Sequence, residues 1–167
     1  RLSQSRPNAS AIYQDNQVEA WGRVAKTVHA AGGRIFQQIY HLGRKSDPSR
    51  MPDGLLPLAP SAIAAKGEVA GLNGPVDFAV PRALETDEIP DVVEEFRLAA
   101  RGAGKAGMDG IEIHGANAYL VHQFLKDKSN RRVDGYGGDV AARVRFLMEV
   151  TQAAIDELGA DRVGVRI

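Results

Sequence analysis

Hydrophobic positions along the chain switch between a period typical of helices and one typical of strands. Residues 15–31 repeat apolar side chains at helical spacing and are followed by a pair of glycines, which predicts a helix and its end. Residues 34–40 then alternate as a strand does. The same order of helix and strand occurs again further along the chain. A helix is predicted from residues 87–90 to about Gly104, and a strand over 110–113.

The second half of the chain repeats this order once more. A short helix is predicted over 119–125, and a long helix after Asp139, a residue type that caps helices well. Gly159 ends the long helix, and a strand is predicted over 162–167. We expect the buried side of the long helix to be the stripe Val140, Val144, Leu147, Thr151, Ala154, Ile155 and Leu158.

Residues 44–85 are rich in proline and glycine and carry no sustained helical period, which predicts a long loop with a small hairpin. The alternation of helices and strands elsewhere specifies an α/β fold with a parallel sheet and right-handed crossovers. An open doubly wound sheet and a closed (β/α)8 barrel both fit this order. No Gly-x-Gly-x-x-Gly sequence follows a strand, which weakens the dinucleotide-binding form of the open sheet.

Composition narrows the function classes. The 167 residues have a net charge of zero, which gives no electrostatic reason to expect nucleic acid or an anionic membrane as a partner. The chain has no cysteine, so metal ligation through a thiolate is excluded. His29, His41 and His122 lack metal-ligand spacing, so no metal is expected. No apolar run is long enough to span a bilayer, and we expect a cytoplasmic protein that binds a small molecule.

Polar residues follow the strand predicted at 110–113, where active-site groups collect in α/β proteins. His114, Asn117 and Tyr119 stand at i, i+3 and i+5, so that two neutral donors and a phenol are available to hold a carbonyl oxygen and deliver a proton. The alternative is structural: His114 satisfies backbone groups, Asn117 caps the next helix and Tyr119 packs on the core. Spacing alone leaves both interpretations open.

Four motifs in the same order resemble the old yellow enzyme family, a group of FMN-dependent NADH:flavin oxidoreductases that includes N-ethylmaleimide reductase-like enzymes. They are residues 36–44 (FQQIYHLGR), 106–125 (AGMDGIEIHGANAYLVHQFL), 129–138 (SNRRVDGYGG) and 162–166 (RVGVR). Segments 58–63 and 81–84 are similar to the family's long loop. The chain departs from the family at Ala141 and Ala142, where Glu-Asn is usual.

The resemblance implies a (β/α)8 TIM barrel that binds FMN non-covalently and takes electrons from NADPH or NADH. Such flavoproteins are oxidoreductases that reduce activated carbon–carbon double bonds, as in enones, maleimides and nitroalkenes. It further implies that residues 1–167 are a partial flavin-binding barrel domain covering roughly strands 3 to 5 with their helices, with both ends of the domain missing. A closed barrel needs about 250 residues, so we expect the chain to be a piece of a longer protein.

The resemblance also assigns roles to residues. His114 and Asn117 would bind the oxygen that activates the alkene, and Tyr119 would protonate the α-carbon after hydride passes from flavin N5 to the β-carbon. Gln38 would pair with the pyrimidine edge of the flavin. Its neighbour Gln37 faces the other side of the strand, so only one of the two can do so, and the register of the family's motif selects Gln38. Arg166 would be buried against the flavin N1–C2=O locus, with His114 beside the cofactor as well.

Two other hypotheses remain. The isolated fragment is catalytically inactive, binds no flavin and associates through open sheet edges. Alternatively, the protein is a flavin-free TIM-barrel lyase or isomerase in which His114 and Tyr119 act as acid and base, a hypothesis that leaves Gln38 and Arg166 unexplained. Arg131, Arg132, Asp134 and Tyr136, with the following glycine pair, are assigned to ordering the loop before the long helix.

Overall fold

The computed structural model describes residues 10–71 and 74–167, so the first nine residues of the expected 1–167 domain lie outside it. The helices are α1 (Asp15–Ala30), α2 (Ile89–Lys105), α3 (Leu120–Leu125) and α4 (Val140–Leu158). The strands are β1 (Phe36–Ile39), β2 (Leu58–Ala59), β3 (Glu68–Gly71), β4 (Gly74–Asp77), β5 (Arg82–Ala83), β6 (Gly110–His114) and β7 (Val163–Arg166). Every helix and strand predicted from the periodicity is present, with ends that differ by a few residues.

The chain divides into two compact units. The first, called the sheet unit, contains residues 10–40, 90–114 and 148–167. The second, called the loop unit, contains the described residues of 41–89 and 115–147. None of the helices in the described ranges is long and apolar enough to cross a membrane.

The sheet unit is built on a parallel three-stranded sheet in the order β1-β6-β7. Ile111 and Ile113 are buried on one face of β6, and the alternate residues of the strand point to the other face. Gly110 begins the strand at a close approach, because a Cβ there would lie 2.4 Å from the ring of Phe36 and 2.5 Å from the carbonyl oxygen of Arg162. The parallel sheet that the alternation of helices and strands predicted is therefore confirmed.

Asp109 fastens the start of β1 to the start of β6. Its backbone N–H donates to the carbonyl of Ile35 (2.9 Å), and its carboxylate accepts from the Ile35 N–H (2.8 Å). The same carboxylate accepts from His29 Nε2 (2.8 Å) and Arg34 Nη1 (2.9 Å). These bonds hold the pKa of Asp109 well below its usual range, and the bond from the Ile35 backbone N–H has the largest effect. The charged form of Asp109 therefore stabilises this pairing of strands.

The buried side of α4 differs from the expected stripe. Phe146, Val150, Ala153 and Ala154 are buried, whereas Val140 is 72% exposed, so that Ala154 alone of the expected stripe is fully buried. The other members of the stripe, from Val144 to Leu158, are half-buried, so the prediction was wrong only in part: it left out Phe146, Val150 and Ala153. The residues at 146, 150 and 153–154 share helical spacing, and they include the large ring of Phe146.

The loop unit contains the expected hairpin, formed by the antiparallel pair β3 and β4. It also contains a feature that the sequence did not predict, a two-residue parallel pairing of β2 with β5. Arg132 binds the segments that carry these strands, since its Nη1 donates to the carbonyl oxygens of Pro60 (3.1 Å) and Leu84, and its Nε to the Asp134 carboxylate (3.0 Å). These bonds fit the structural role expected of Arg132 and Asp134.

Aromatic side chains pack against one another beneath the buried side of α3 and stabilise the helix. Phe124 is fully buried and stacks on Phe146 with 4.4 Å between ring centroids. The ring of Tyr136 meets Phe124 edge-on at 6.3 Å. Asn130, also buried, donates to the carbonyl oxygens of Phe124 (2.8 Å) and Tyr136 (2.7 Å). This core fixes the helix that follows Tyr119.

Candidate active site

The sheet unit brings three of the predicted site residues onto one face of the sheet. In the register, Gln38 pairs with Glu112 and His114 pairs with Arg166. Glu112 and His114 are two residues apart in β6 and so point to the same side. Gln38, Glu112, His114 and Arg166 therefore share a face near the carboxyl ends of the three strands, the end at which α/β proteins place their ligands.

Glu112 is the residue on this face that the sequence analysis missed. Its Oε1 accepts from Gln38 Nε2 at 2.6 Å, which fixes the orientation of the amide. This bond uses one of the two N–H groups of the amide, and it leaves the Gln38 Oε1 directed away from the carboxylate. Strict alternation backwards from His114 would have identified Glu112, because the two residues occupy i and i−2 of one strand.

His114 is buried, with 3% of its surface exposed, and burial lowers its pKa. The positive charge of Arg166 lowers it further, while the carboxylate of Glu112 opposes the shift. The imidazole is therefore neutral at pH 7, and one of its ring nitrogens is a hydrogen-bond donor that adds no net charge to the site.

Arg166, which the resemblance places against a bound flavin, is exposed in this chain. Gly164 and Val165, which precede it in β7, are exposed as well. Within the described residues β7 pairs with β6 on one side and lies at the sheet edge on the other, so neighbours cover it incompletely. The guanidinium thus remains accessible at the carboxyl end of the strand.

Asn117 and Tyr119 belong to the loop unit, in the turn that leads into α3. Asn117 is exposed and has a left-handed backbone with φ 54°. Tyr119 is half-buried, has extended backbone angles and is the residue before the first turn of α3. Lys45 Nζ lies 5.6 Å from the centroid of the Tyr119 ring, over its face.

Ala118, between these two residues, also has a left-handed backbone, with φ 59°. This region costs a residue with a Cβ about 1–2 kcal/mol. Asn tolerates it through local hydrogen bonding, whereas Ala has no such compensation of its own. Strain of this kind is concentrated at functional sites, and it marks the turn between Asn117 and Tyr119 as one that the surrounding structure holds in place.

His41, from the motif at 36–44, is buried within the loop unit and 4% exposed. Its Nδ1 accepts a hydrogen bond from the Gly43 N–H at 3.0 Å, so the ring is neutral. Burial is the largest of the causes that lower the pKa of His41 to about 3. Arg44 of the same motif donates from Nη1 to the carbonyl oxygens of Ile63 (3.0 Å) and Ala64 (3.3 Å), and so fastens the long loop. Among residues 10–71 and 74–167, no cluster of three His, Asp or Glu side chains could hold a metal ion.

Comparison with known proteins identifies the class. A family model described as the NADH:flavin oxidoreductase / NADH oxidase family matches residues 2–167. The chain is 48% identical over 168 residues to the putative 12-oxophytodienoate reductase 11 of Oryza sativa subsp. japonica, a match covering 99% of this chain and 45% of the relative. It is 42% identical to the putative 12-oxophytodienoate reductase-like protein 1 of Arabidopsis thaliana, over 96% of this chain and 48% of that protein.

Solved structures agree with this match. Morphinone reductase is similar with a TM-score of 0.89 and 46% identity, over 93% of this chain and 43% of its own. The old yellow enzyme homologue from Zymomonas mobilis gives a TM-score of 0.93 and 43% identity, over 98% of this chain and 46% of its own. A further structure of morphinone reductase is a complex with tetrahydroNAD.

The chain therefore belongs to the NADH:flavin oxidoreductase / NADH oxidase family, the family of the old yellow enzymes. The resemblance stated from the sequence is confirmed, as are FMN and NAD(P)H as the cofactors of the family. The chain spans less than half the length of the relatives it matches. The solved neighbours are TIM barrels, and membership favours flavin chemistry over a flavin-free lyase or isomerase.

Proposed function

We propose that the protein of which this chain forms a part is an ene-reductase that reduces enones, maleimides or nitroalkenes with NAD(P)H. The observation that carries the proposal is that Gln38, His114 and Arg166 share one face of the sheet. Membership of the NADH:flavin oxidoreductase family supports it. Under this proposal β1, β6 and β7 are the third, fourth and fifth strands of the barrel. Residues 1–167 are then one part of a flavin-binding domain.

The residues on this face suit FMN by their chemistry. Gln38 offers an amide that is held by Glu112 at one N–H and has its Oε1 available as an acceptor, as the pyrimidine edge of a flavin requires. Arg166 offers an exposed positive charge for the N1–C2=O locus, where negative charge is greatest in a reduced flavin. When bound, FMN supplies the hydride for the alkene.

His114 and Asn117 bind the carbonyl or nitro oxygen of the substrate. The lowered pKa of His114 keeps it neutral, so its N–H stabilises developing negative charge on that oxygen without giving up a full proton. The amide N–H of Asn117, which is exposed, provides the second donor. Three peptide bonds separate the two residues along the chain.

Tyr119 donates the proton that completes reduction at the α-carbon. A phenol hydroxyl can act as a general acid. Its place before the first turn of α3 ties its backbone to the helix, because the Gln123 N–H donates to the Tyr119 carbonyl at 2.8 Å. A defined backbone position suits a residue that must deliver a proton to one carbon atom.

The test is Tyr119→Phe in the full-length protein, measured in two half-reactions. We expect alkene reduction to fall by about 10²- to 10⁴-fold, because general acid catalysis contributes on that order. Flavin reduction by NADPH needs no such proton and should keep its rate. Phe removes only the hydroxyl and keeps the ring that lies near Lys45. Full alkene turnover in this variant would remove the assigned role.

The second candidate concerns the 167-residue chain by itself, which we propose binds no FMN and associates with copies of itself. In the described sheet, β1 and β7 each have one hydrogen-bonded neighbour, and Phe36 and Val165 on these strands are 58% and 40% exposed. Light scattering with FMN titration tests this. A monomer that binds FMN with a dissociation constant like that of the full-length protein would contradict it.

A further inference from the structure

The turn of residues 116–119, here called the Ala118 turn, is held by side chains of the helix that follows it. The Ala118 N–H donates to His122 Nδ1 at 2.9 Å. The Ala118 carbonyl accepts from Gln123 Nε2 at 2.8 Å. Both polar backbone groups of this strained alanine are thus bound by consecutive residues of α3.

Gln123 carries this restraint into a second segment of the loop unit. Its side chain is 1% exposed, and its Nε2 also donates to the Leu42 carbonyl at 2.9 Å. Its Oε1 accepts from the Arg44 N–H at 3.2 Å. Gly43 lies between these two contacts with φ 59°, and a Cβ there would come within 2.3 Å of the Gln123 Oε1. The amide is therefore enclosed by backbone on both sides, and it cannot turn without breaking several bonds.

The hydrogen bond from Ala118 determines which ring nitrogen of His122 carries the hydrogen. A backbone N–H that donates to Nδ1 requires this nitrogen to carry no proton, so the neutral ring has its hydrogen on Nε2. Asn is the natural substitute, because its Oδ1 stands at nearly the same distance along the side chain as Nδ1 and also accepts. Phe fills a similar volume and accepts nothing.

We propose that His122 and Gln123 are positioning residues that keep Ala118 in the left-handed conformation and thereby fix the directions in which Asn117 and Tyr119 leave the turn. Neither residue touches the reacting atoms in this account. The proposal rests on the proposed function for the roles of Asn117 and Tyr119, but the restraint on Ala118 can be measured separately. Left-handed alanine is disfavoured by about five- to thirtyfold in its conformational equilibrium, and the two side-chain bonds oppose that bias.

The test is a cycle of variants of the full-length protein that combines His122→Phe with Ala118→Gly. Glycine adopts a left-handed backbone without penalty, so it removes the need for the restraint. We expect His122→Phe alone to lower alkene turnover by about five- to thirtyfold and to speed amide exchange in residues 117–119. The double variant should recover most of the turnover, and His122→Asn should keep the original rate and exchange.

The readouts separate the two proposals. If exchange changes as expected while Tyr119→Phe retains full turnover, the restraint stands and the proposed role of Tyr119 fails. If His122→Phe leaves both exchange and turnover unchanged, or if its effect is the same with Ala118→Gly as without it, the positioning role is overturned. Should His122→Phe not fold, Ala118→Gly alone decides: it should raise stability, since a glycine relieves strain at φ 59°, and a fall in stability would contradict the account.

Discussion

Burial of His41 should make the stability of the protein depend on pH in mildly acidic solution. The ring is 4% exposed, and its pKa is lowered to about 3 in the folded protein from an ordinary value of about 6.5. Below pH 6.5 the unfolded chain therefore binds a proton that the folded protein refuses. The free energy of unfolding is therefore not reduced by His41 above pH 6.5, and it falls as the pH is lowered from 6.5 towards 3.

The size of the effect follows from the difference between the two pKa values. Each pH unit between them is worth about 1.4 kcal/mol, so the free energy of unfolding should fall by roughly 2 kcal/mol between pH 6.5 and pH 5 through His41. That is a large part of the stability of an ordinary domain. His114, whose pKa is also lowered, acts in the same direction and makes the total dependence steeper.

Urea unfolding of the full-length protein, followed by circular dichroism at several pH values from 7 to 5, measures this slope. His41→Asn is the matched variant, because its Oδ1 can accept from the Gly43 N–H as Nδ1 does, yet it does not titrate. We expect the variant to lose roughly 2 kcal/mol less than the original protein over this range. An equal slope in both proteins would refute the burial argument, since other histidines are common to the two.

Two further predictions concern packing and strand pairing. Phe124→Ala should lower the free energy of unfolding by about 3–5 kcal/mol, because the ring is fully buried against Phe146, and calorimetry checks this. Asp109→Asn should lower stability at pH 7 and flatten its acid dependence, because a carboxyl with a lowered pKa stabilises above its ordinary pKa of 3.8 and loses that contribution as the pH falls below it. An unchanged acid midpoint in this variant would contradict the second prediction.

The sequence predicted the fold where one local signal was enough. The helical period of α2 agrees with its burial, since Ile89, Phe96 and Ala100 lie on one side of the helix and all three are buried. The buried side of α4 was predicted only in part, because helical periodicity admits more than one apolar stripe when a helix carries many aliphatic residues. The pairing of β2 with β5 was not predictable, because two-residue strands have no period to recognise.

The candidate site shows the same division. Gln38, His114 and Arg166 could be named from motifs, and strand register then places them on one face. The burial of Arg166 depends on neighbouring strands and on a bound flavin, which the residue itself does not specify. The restraint on Ala118 could not be predicted from the sequence. A positive φ contradicts the intrinsic preference of alanine, and here it is accompanied by hydrogen bonds from side chains of α3.

The most direct test of the flavin interpretation is FMN binding by the full-length protein, with Gln38→Leu compared against Gln37→Leu. Both residues lie in β1, and alternation along the strand places them on opposite faces. We predict that the purified protein binds FMN, that Gln38→Leu weakens binding by about three- to tenfold, as loss of a hydrogen bond does, and that Gln37→Leu leaves it unchanged. No FMN binding, or equal losses in the two variants, would contradict the account.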